Sequence, residues 1–100
     1  MIVLAAIAGV DWDSGNARKS VDKHGVGQAE AEQVFFNEPL LLLHDDRHGG
    51  LESRFHALGK TNEGRRLHIT FTLRRGGSLI RVISARDMHR KERAVYEKNS

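Results

Sequence analysis

The stretch LHITFTLRRGGSLIRVISA, residues 67–85, carries the pattern that decides the fold. Leu67, Ile69, Phe71 and Leu73 alternate with His68, Thr70 and Thr72, the two-residue period of a strand with one apolar face. Arg74-Arg75-Gly76-Gly77 breaks that period and Leu79–Ala85 resumes it, so two antiparallel strands joined by a Gly-Gly hairpin are predicted. Upstream, Arg54, His56 and Leu58 alternate with Phe55 and Ala57. Leu40–His44 is a short apolar run that ends in the polar segment Asp45–Gly50. Short loops between successive strands force an antiparallel meander.

Before these strands the period is helical. Asp13 is placed to cap a first helix with Asn16, Ala17 and Val21 on its inner stripe, ending at His24-Gly25. Residues 28–36 form a second, with Ala31, Val34 and Phe35 at i, i+3 and i+4, stopped by Asn37-Glu38-Pro39. Asp87 is placed to cap a terminal helix whose Met88 and Val95 pack on the sheet. The expected class is α+β: N-terminal helices, an antiparallel four-stranded sheet and a C-terminal helix, in one domain over residues 1–100. The apolar run Met1–Val10 is either a buried strand added to that sheet or an extension upstream of the domain. It is about half the length a bilayer span needs and lacks the basic start of a signal peptide.

Cysteine is absent, which removes disulfides, thiolate metal sites and cysteine nucleophiles together and points to a reducing cytoplasm. His44-Asp45-Asp46-Arg47-His48 holds four potential metal ligands. Adjacent carboxylates on an extended chain point to opposite sides, so a polar turn is expected there and no metal. Neither glycine-rich phosphate loop nor G-x-S-x-G elbow occurs, so no nucleotide cofactor and no serine hydrolase is indicated. Charge is divided unevenly. Residues 1–50 carry four Lys and Arg against eight Asp and Glu, a net of −4, and residues 51–100 carry twelve against five, a net of +7. A basic half of this density favours a phosphate-rich partner, since each neutralised phosphate releases counterions.

Arg81 sits inside the last strand, where alternation puts it with Leu79, Ile83 and Ala85, and Arg86 falls just past the strand's end. An arginine on an apolar face is costly unless an acid such as Glu52 pairs with it or it lines a groove, and both readings stay open. Arg54 and His56 share one face of their strand. If that face adjoins Arg81, a cationic groove forms with an imidazole at its edge, suited to the extra charge of a phosphorane. His89, Arg93 and Tyr96, at i, i+4 and i+7, make a stripe on the terminal helix that Arg86 extends. Imidazole, guanidinium and phenol are the groups a metal-free ribonuclease needs. Arg47, Arg74, Arg75 and Arg90 are the accompanying cations for binding RNA. Two other classes fit the same basic face: a non-catalytic nucleic-acid-binding module, and a protein that only meets an acidic partner. The lack of a helix-turn-helix signal and of an aromatic ladder weighs against the first.

Several ordered blocks resemble the BrnT-type toxins: Trp12-Asp13…Asn16, Lys23-His24-Gly25-Val26, Glu30-Ala31 through Val34-Phe35, and Asn37-Glu38-Pro39-Leu40. They continue with Asp46-Arg47-His48 and Glu52…Arg54…Leu58-Gly59, and the most distinctive is Arg81-Val82-Ile83-Ser84-Ala85-Arg86 followed by Glu92-Arg93 and Tyr96. The resemblance implies a RelE-like ribonuclease fold and RNA cleavage that inhibits translation in a bacterial cytoplasm. It also implies neutralisation by a BrnA-type antitoxin, a dimeric ribbon-helix-helix protein through which the complex would reach operator DNA. No membrane partner is implied.

Overall fold

The alternation of residues 54–87 is realised as three long antiparallel strands in a computed structural model that describes residues 7–13, 15, 18, 24–45 and 53–99. The elements in chain order are β1 (Gly9–Val10), α1 (Gln28–Val34), β2 (Leu41–Asp45), β3 (Arg54–Lys60), β4 (Arg66–Arg74), β5 (Leu79–Asp87) and α2 (Arg90–Lys98). The sheet order is β1-β5-β4-β3-β2. The meander β2-β3-β4-β5 is antiparallel throughout, and β1 adds a fifth strand parallel to β5, pairing Gly9 with Leu79 and Val10 with Ile80. The sheet is therefore five-stranded and mixed rather than four-stranded and antiparallel. The apolar N-terminal run supplies the difference, since Ile7 and Val10 pack against the core. Helical backbone at Gly15, Arg18 and His24 falls inside the first helix expected from sequence, and the rest of that helix lies outside the described residues.

One face of the sheet is apolar. Ala57, Leu67, Ile69, Phe71, Ile80, Val82 and Ala85 point into a core that α1 closes with Ala31 and Val34. Burying each Val, Ile, Leu or Phe of this set stabilises by about 1.5–3 kcal/mol. Phe35 meets Phe71 edge-on at 5.2 Å, and Phe55 stacks on Phe71 at 5.6 Å. The opposite face is covered at one end by α2, where Tyr96 and Met88 pack on Leu58 with Leu41 beside them. The Tyr96 hydroxyl donates to the Pro39 carbonyl at 2.7 Å.

Two expectations about the C-terminal segment are corrected. Asp87 ends β5 instead of capping α2; it is held by the Arg65 guanidinium at 2.8 and 3.1 Å, and His89 takes the cap position. Val95 faces solvent, and Tyr96 fills the place expected for it. Arg65 is a clamp that the sequence reading did not single out. It also donates to both Glu30 oxygens and to the carbonyls of His24 and Gly25, tying α1 to the sheet. No helix among the described residues is long and apolar enough to cross a membrane.

The close approach of α1 to β3 depends on Gly59. A Cβ there would stand 2.6 Å from Val34 Cγ1 and 3.2 Å from the Val34 carbonyl oxygen. Overpacking of this kind costs about 1–3 kcal/mol. Gly59→Ala is accordingly expected to lose about 1–3 kcal/mol of stability and to unfold at a lower urea concentration. An unchanged midpoint would mean that α1 does not press on β3.

Candidate functional site

The polar face owes its composition to one irregularity in β5. Phe71 pairs with Val82 and the next pair is Thr70 with Ser84, so Ile83 is an extra residue, a β-bulge. Before the bulge Ile80 and Val82 face the core; after it Ala85 does, and Ser84 and Arg86 face the other way. Simple alternation, which grouped Arg81 with Ala85, fails at this residue. Arg86 also lies within β5, opposite His68, rather than past its end. The register then lines up two rows across the face: Leu43, His56, Thr70 and Ser84 in one, and Leu41, Leu58, His68 and Arg86 in the next.

Along these rows runs a continuous chain of hydrogen-bond contacts. Asp45 Oδ2, in a carboxylate only 3% exposed, lies 3.0 Å from His56 Nε2. His56 Nδ1 lies 3.1 Å from Thr70 Oγ1 and 2.9 Å from His68 Nε2. His68 Nδ1 lies 2.6 Å from Glu92 Oε2, on α2, and 2.7 Å from Arg86 Nη2. Arg86 grips Glu92 with both ends of its fork, at 2.8 and 3.0 Å, and the His89 backbone N–H donates to Glu92 Oε1 at 2.9 Å. Such bidentate, charge-assisted pairs fix geometry as well as charge.

Electrostatics follow from these contacts. Burial acts to raise the Glu92 carboxyl, but the bonds from Arg86, the His89 N–H and His68 outweigh it and hold the carboxyl at about 2. Burial is also the largest influence on His68 and pushes it below the ordinary imidazole value. The Arg86 and His56 charges act the same way, and Glu92 acts against them. The Arg65 carboxylate partner Asp87 is likewise lowered, by the guanidinium it accepts from.

The remaining residues singled out from sequence fall in different places. Arg54 is exposed at the head of β3, opposite Asp45. Arg81 pairs with Thr72, and its guanidinium turns toward the segment after β1, donating to Asp13 at 2.7 Å and Asp11 at 3.4 Å. Among the described residues its acids are Asp13 and Asp11; Glu52 lies outside them. Those bonds, led by that to Asp13, raise the Arg81 guanidinium further above neutrality. His89 and Arg93 are exposed at the start of α2, while Tyr96 is buried, so the expected stripe does not form one surface. Glu92 and Tyr96 make the inward face instead. Arg74 closes β4, and Arg75 and Arg90 are exposed, Arg75 in the β4–β5 turn with a φ of +53°. Arg47 lies outside the described residues. His44 stacks on Phe55, on the side of β2 opposite to Asp45, as an extended chain requires.

His68, Thr70, Asp45 and Glu92 were not among the residues expected to work. His56 and His68 do occupy polar positions of neighbouring strands, and only the register of the β3–β4 hairpin, pairing His56 with Thr70 and Leu58 with His68, brings them together.

Residues 12–92 match the family model described as "Ribonuclease toxin, BrnT, of type II toxin-antitoxin system". That span contains Asp45, His56, His68, Arg86 and Glu92 and ends before Arg93 and Tyr96. No curated protein matches the chain.

The Glu92 contacts set a pH dependence of stability. A folded value near 2 lies below the ordinary 4.5, so the folded state binds fewer protons between those limits. The stabilisation is complete above about pH 4.5 and is lost as pH falls toward 2. It amounts to a figure on the order of 2–3 kcal/mol. The stability difference between wild type and Glu92→Gln should be largest at neutral pH and shrink across that window; a difference independent of pH would contradict the contacts.

Proposed function

This chain belongs to the BrnT ribonuclease toxin family of type II toxin–antitoxin systems, and we propose that it is a metal-independent endoribonuclease that cuts RNA through the ribose 2′-hydroxyl. The observation that carries this reading is the ordered polar face. Two imidazoles, a guanidinium and two carboxylates stand in unbroken contact on a part of the sheet that α2 covers only at one end. Cleavage through the 2′-hydroxyl needs a group to take its proton, a group to protonate the leaving 5′-oxygen and a cation for the phosphorane. Imidazole and arginine supply all three without a metal.

In this reading His56 is the proton-transfer group and Arg86 the stabiliser of the phosphorane. Arg54 holds a neighbouring phosphate on the same sheet face, Arg81 bounds that face through its ion pairs with Asp13 and Asp11, and His89, Arg93, Arg90, Arg74 and Arg75 add cations at its rim; Arg47 is a further cation for RNA. Tyr96, whose hydroxyl is committed to Pro39, acts through packing. The cell-level consequence is RNA cleavage that inhibits translation in the cytoplasm. The fold relationship is RelE-like, and the neutralising partner is a dimeric ribbon-helix-helix antitoxin of the BrnA type, whose acidic surface covers the basic half of residues 51–100 and which links the toxin to operator DNA.

Purified toxin is expected to cut RNA in excess EDTA and leave 2′,3′-cyclic phosphate and 5′-hydroxyl ends. Loss of cutting on chelation, restored by magnesium, would contradict the mechanism, and binding without cutting would make the protein a non-catalytic module. Arg86→Ala is expected to lower the rate by about a hundred- to a thousandfold, roughly 2.7–4 kcal/mol. Arg86→Lys should recover only part of it, because lysine keeps the charge and loses the fork. Thermal denaturation of each variant separates this effect from that of leaving Glu92 unpaired. A stable Arg86→Ala protein with full activity would remove Arg86 from the site.

A further inference from the structure

Each imidazole of the network is held from its outer side by a carboxylate. Asp45 faces His56 Nε2 at 3.0 Å, and Glu92 faces His68 Nδ1 at 2.6 Å. The two inner nitrogens, His56 Nδ1 and His68 Nε2, face each other at 2.9 Å across rings inclined at 83°. A carboxylate only accepts, so His56 Nε2 keeps its proton; His68 Nδ1 keeps its own when it donates to Glu92, and gives it up when it accepts from Arg86 Nη2, 2.7 Å away, which only donates. With both rings neutral and His68 Nδ1 donating to Glu92, two lone pairs oppose each other in the inner gap, at 2.9 Å. One additional proton in that gap satisfies all three contacts, whereas a second would set two imidazolium ions against each other. The charged groups that face the pair come from every adjoining element: Asp45 from β2, Arg54 from β3, Arg86 from β5 and Glu92 from α2. Burial and the Arg86 charge disfavour a second positive ring at His68, in keeping with its lowered value.

We propose that His56 and His68 form a single acid–base unit for RNA cleavage, sharing one proton between their inner nitrogens, with Asp45 and Glu92 as the positioning residues that fix its tautomers. This rests on the ribonuclease reading above. The scissile phosphodiester replaces the contact between the inner nitrogens and lies between the rings. The neutral ring takes the 2′-hydroxyl proton as the 2′-oxygen bonds to phosphorus, and the charged ring gives its proton to the 5′-oxygen as the bond from phosphorus to that oxygen breaks. The products are a 2′,3′-cyclic phosphate and a 5′-hydroxyl, with the unit's single positive charge now on the other ring. When they leave, the inner contact closes again and the proton crosses back, so no further reactant is consumed.

The test combines imidazole 15N NMR of the full-length wild type with RNA cleavage by His56→Gln, His68→Gln, the double variant and Asp45→Asn. The spectra are expected to show His56 protonated at Nε2 and His68 at Nδ1, and the pair to titrate in two coupled, widely separated steps. Cleavage should be fastest between those steps and fall on either side. Each single histidine variant should lose about a hundred- to ten-thousandfold in rate. The double variant should lose no more than the worse single one, because groups acting as a unit are not additive. Asp45→Asn should lower kcat and shift the pH profile together with the His56 tautomer, a change that loss of packing alone does not produce. Two rings titrating independently overturn the proposal even if every variant fails to fold. A folded histidine variant that cuts RNA at the wild-type rate overturns it too, and the ribonuclease reading survives. A wild-type protein that does not cut RNA overturns that reading and this one with it.

Discussion

The bulge at Ile83 is the constraint on which both faces of the sheet depend. Without the extra residue, alternation from Ile80 and Val82 would carry Ser84 and Arg86 into the apolar core and turn Ala85 outward. A buried, unpaired guanidinium costs several kcal/mol, and the core would lose Ala85 from its place beside Ile69. One inserted residue removes both penalties. It gives the core Ala85 beside Ile69 and gives the polar face Arg86 beside His68. Bulges recur next to active sites for this reason, because they re-aim a side chain without breaking the strand.

Arg86 in turn organises α2. Its fork holds Glu92 in the first turn of the helix, where the carboxylate also accepts the His89 N–H and so meets the positive end of the helix. Tyr96, one turn further on, seals against Leu58 and Met88 and anchors its hydroxyl on Pro39. The helix is thus pinned at one end by charge and at the other by apolar contact. The stretch of sheet carrying His56, Thr70 and Ser84 lies beside this cover. The same physics explains why Asp45 tolerates its burial, since His56 Nε2 answers its carboxylate at 3.0 Å.

Much of the architecture was legible in the sequence because it rests on periodicity. The four meander strands, α1 with Ala31 and Val34 inward, and the Gly76-Gly77 turn all follow from a period of 2 or 3.6 and from backbone freedom at glycine. His56 and Arg86 were legible as candidates on other grounds, His56 because it shares a strand face with Arg54 and Arg86 because it leads toward the cationic stripe of the terminal helix, although the structure places it within β5 instead. The bulge was not, since LIRVISA reads as unbroken alternation and nothing local marks Ile83 as the extra residue. Nor were His68 and Glu92. His68 alternates as Thr70 and Thr72 do, and Glu92 sits in a helix of charged residues where a solvated role looks equally good. What distinguishes them is the hairpin register and the docking of α2, both long-range properties. The parallel pairing of β1 with β5 is long-range as well, so it was open in the sequence until the two strands were seen side by side.

The histidine–carboxylate–arginine network lies on the polar face of the sheet, bounded by α2 on one side and by the Arg81 ion pairs on the other. The central claim is that RNA lies on this face and touches the histidine pair. It is tested most directly by adding an uncleavable 2′-O-methyl RNA to isotope-labelled protein and following the side-chain NMR signals. The account predicts saturable shifts at the His56 and His68 rings and at the Arg54 and Arg86 guanidinium groups, with Ala31 and Val34 unmoved. Shifts gathered on α1 and Phe36, with both histidine rings unchanged, would contradict it.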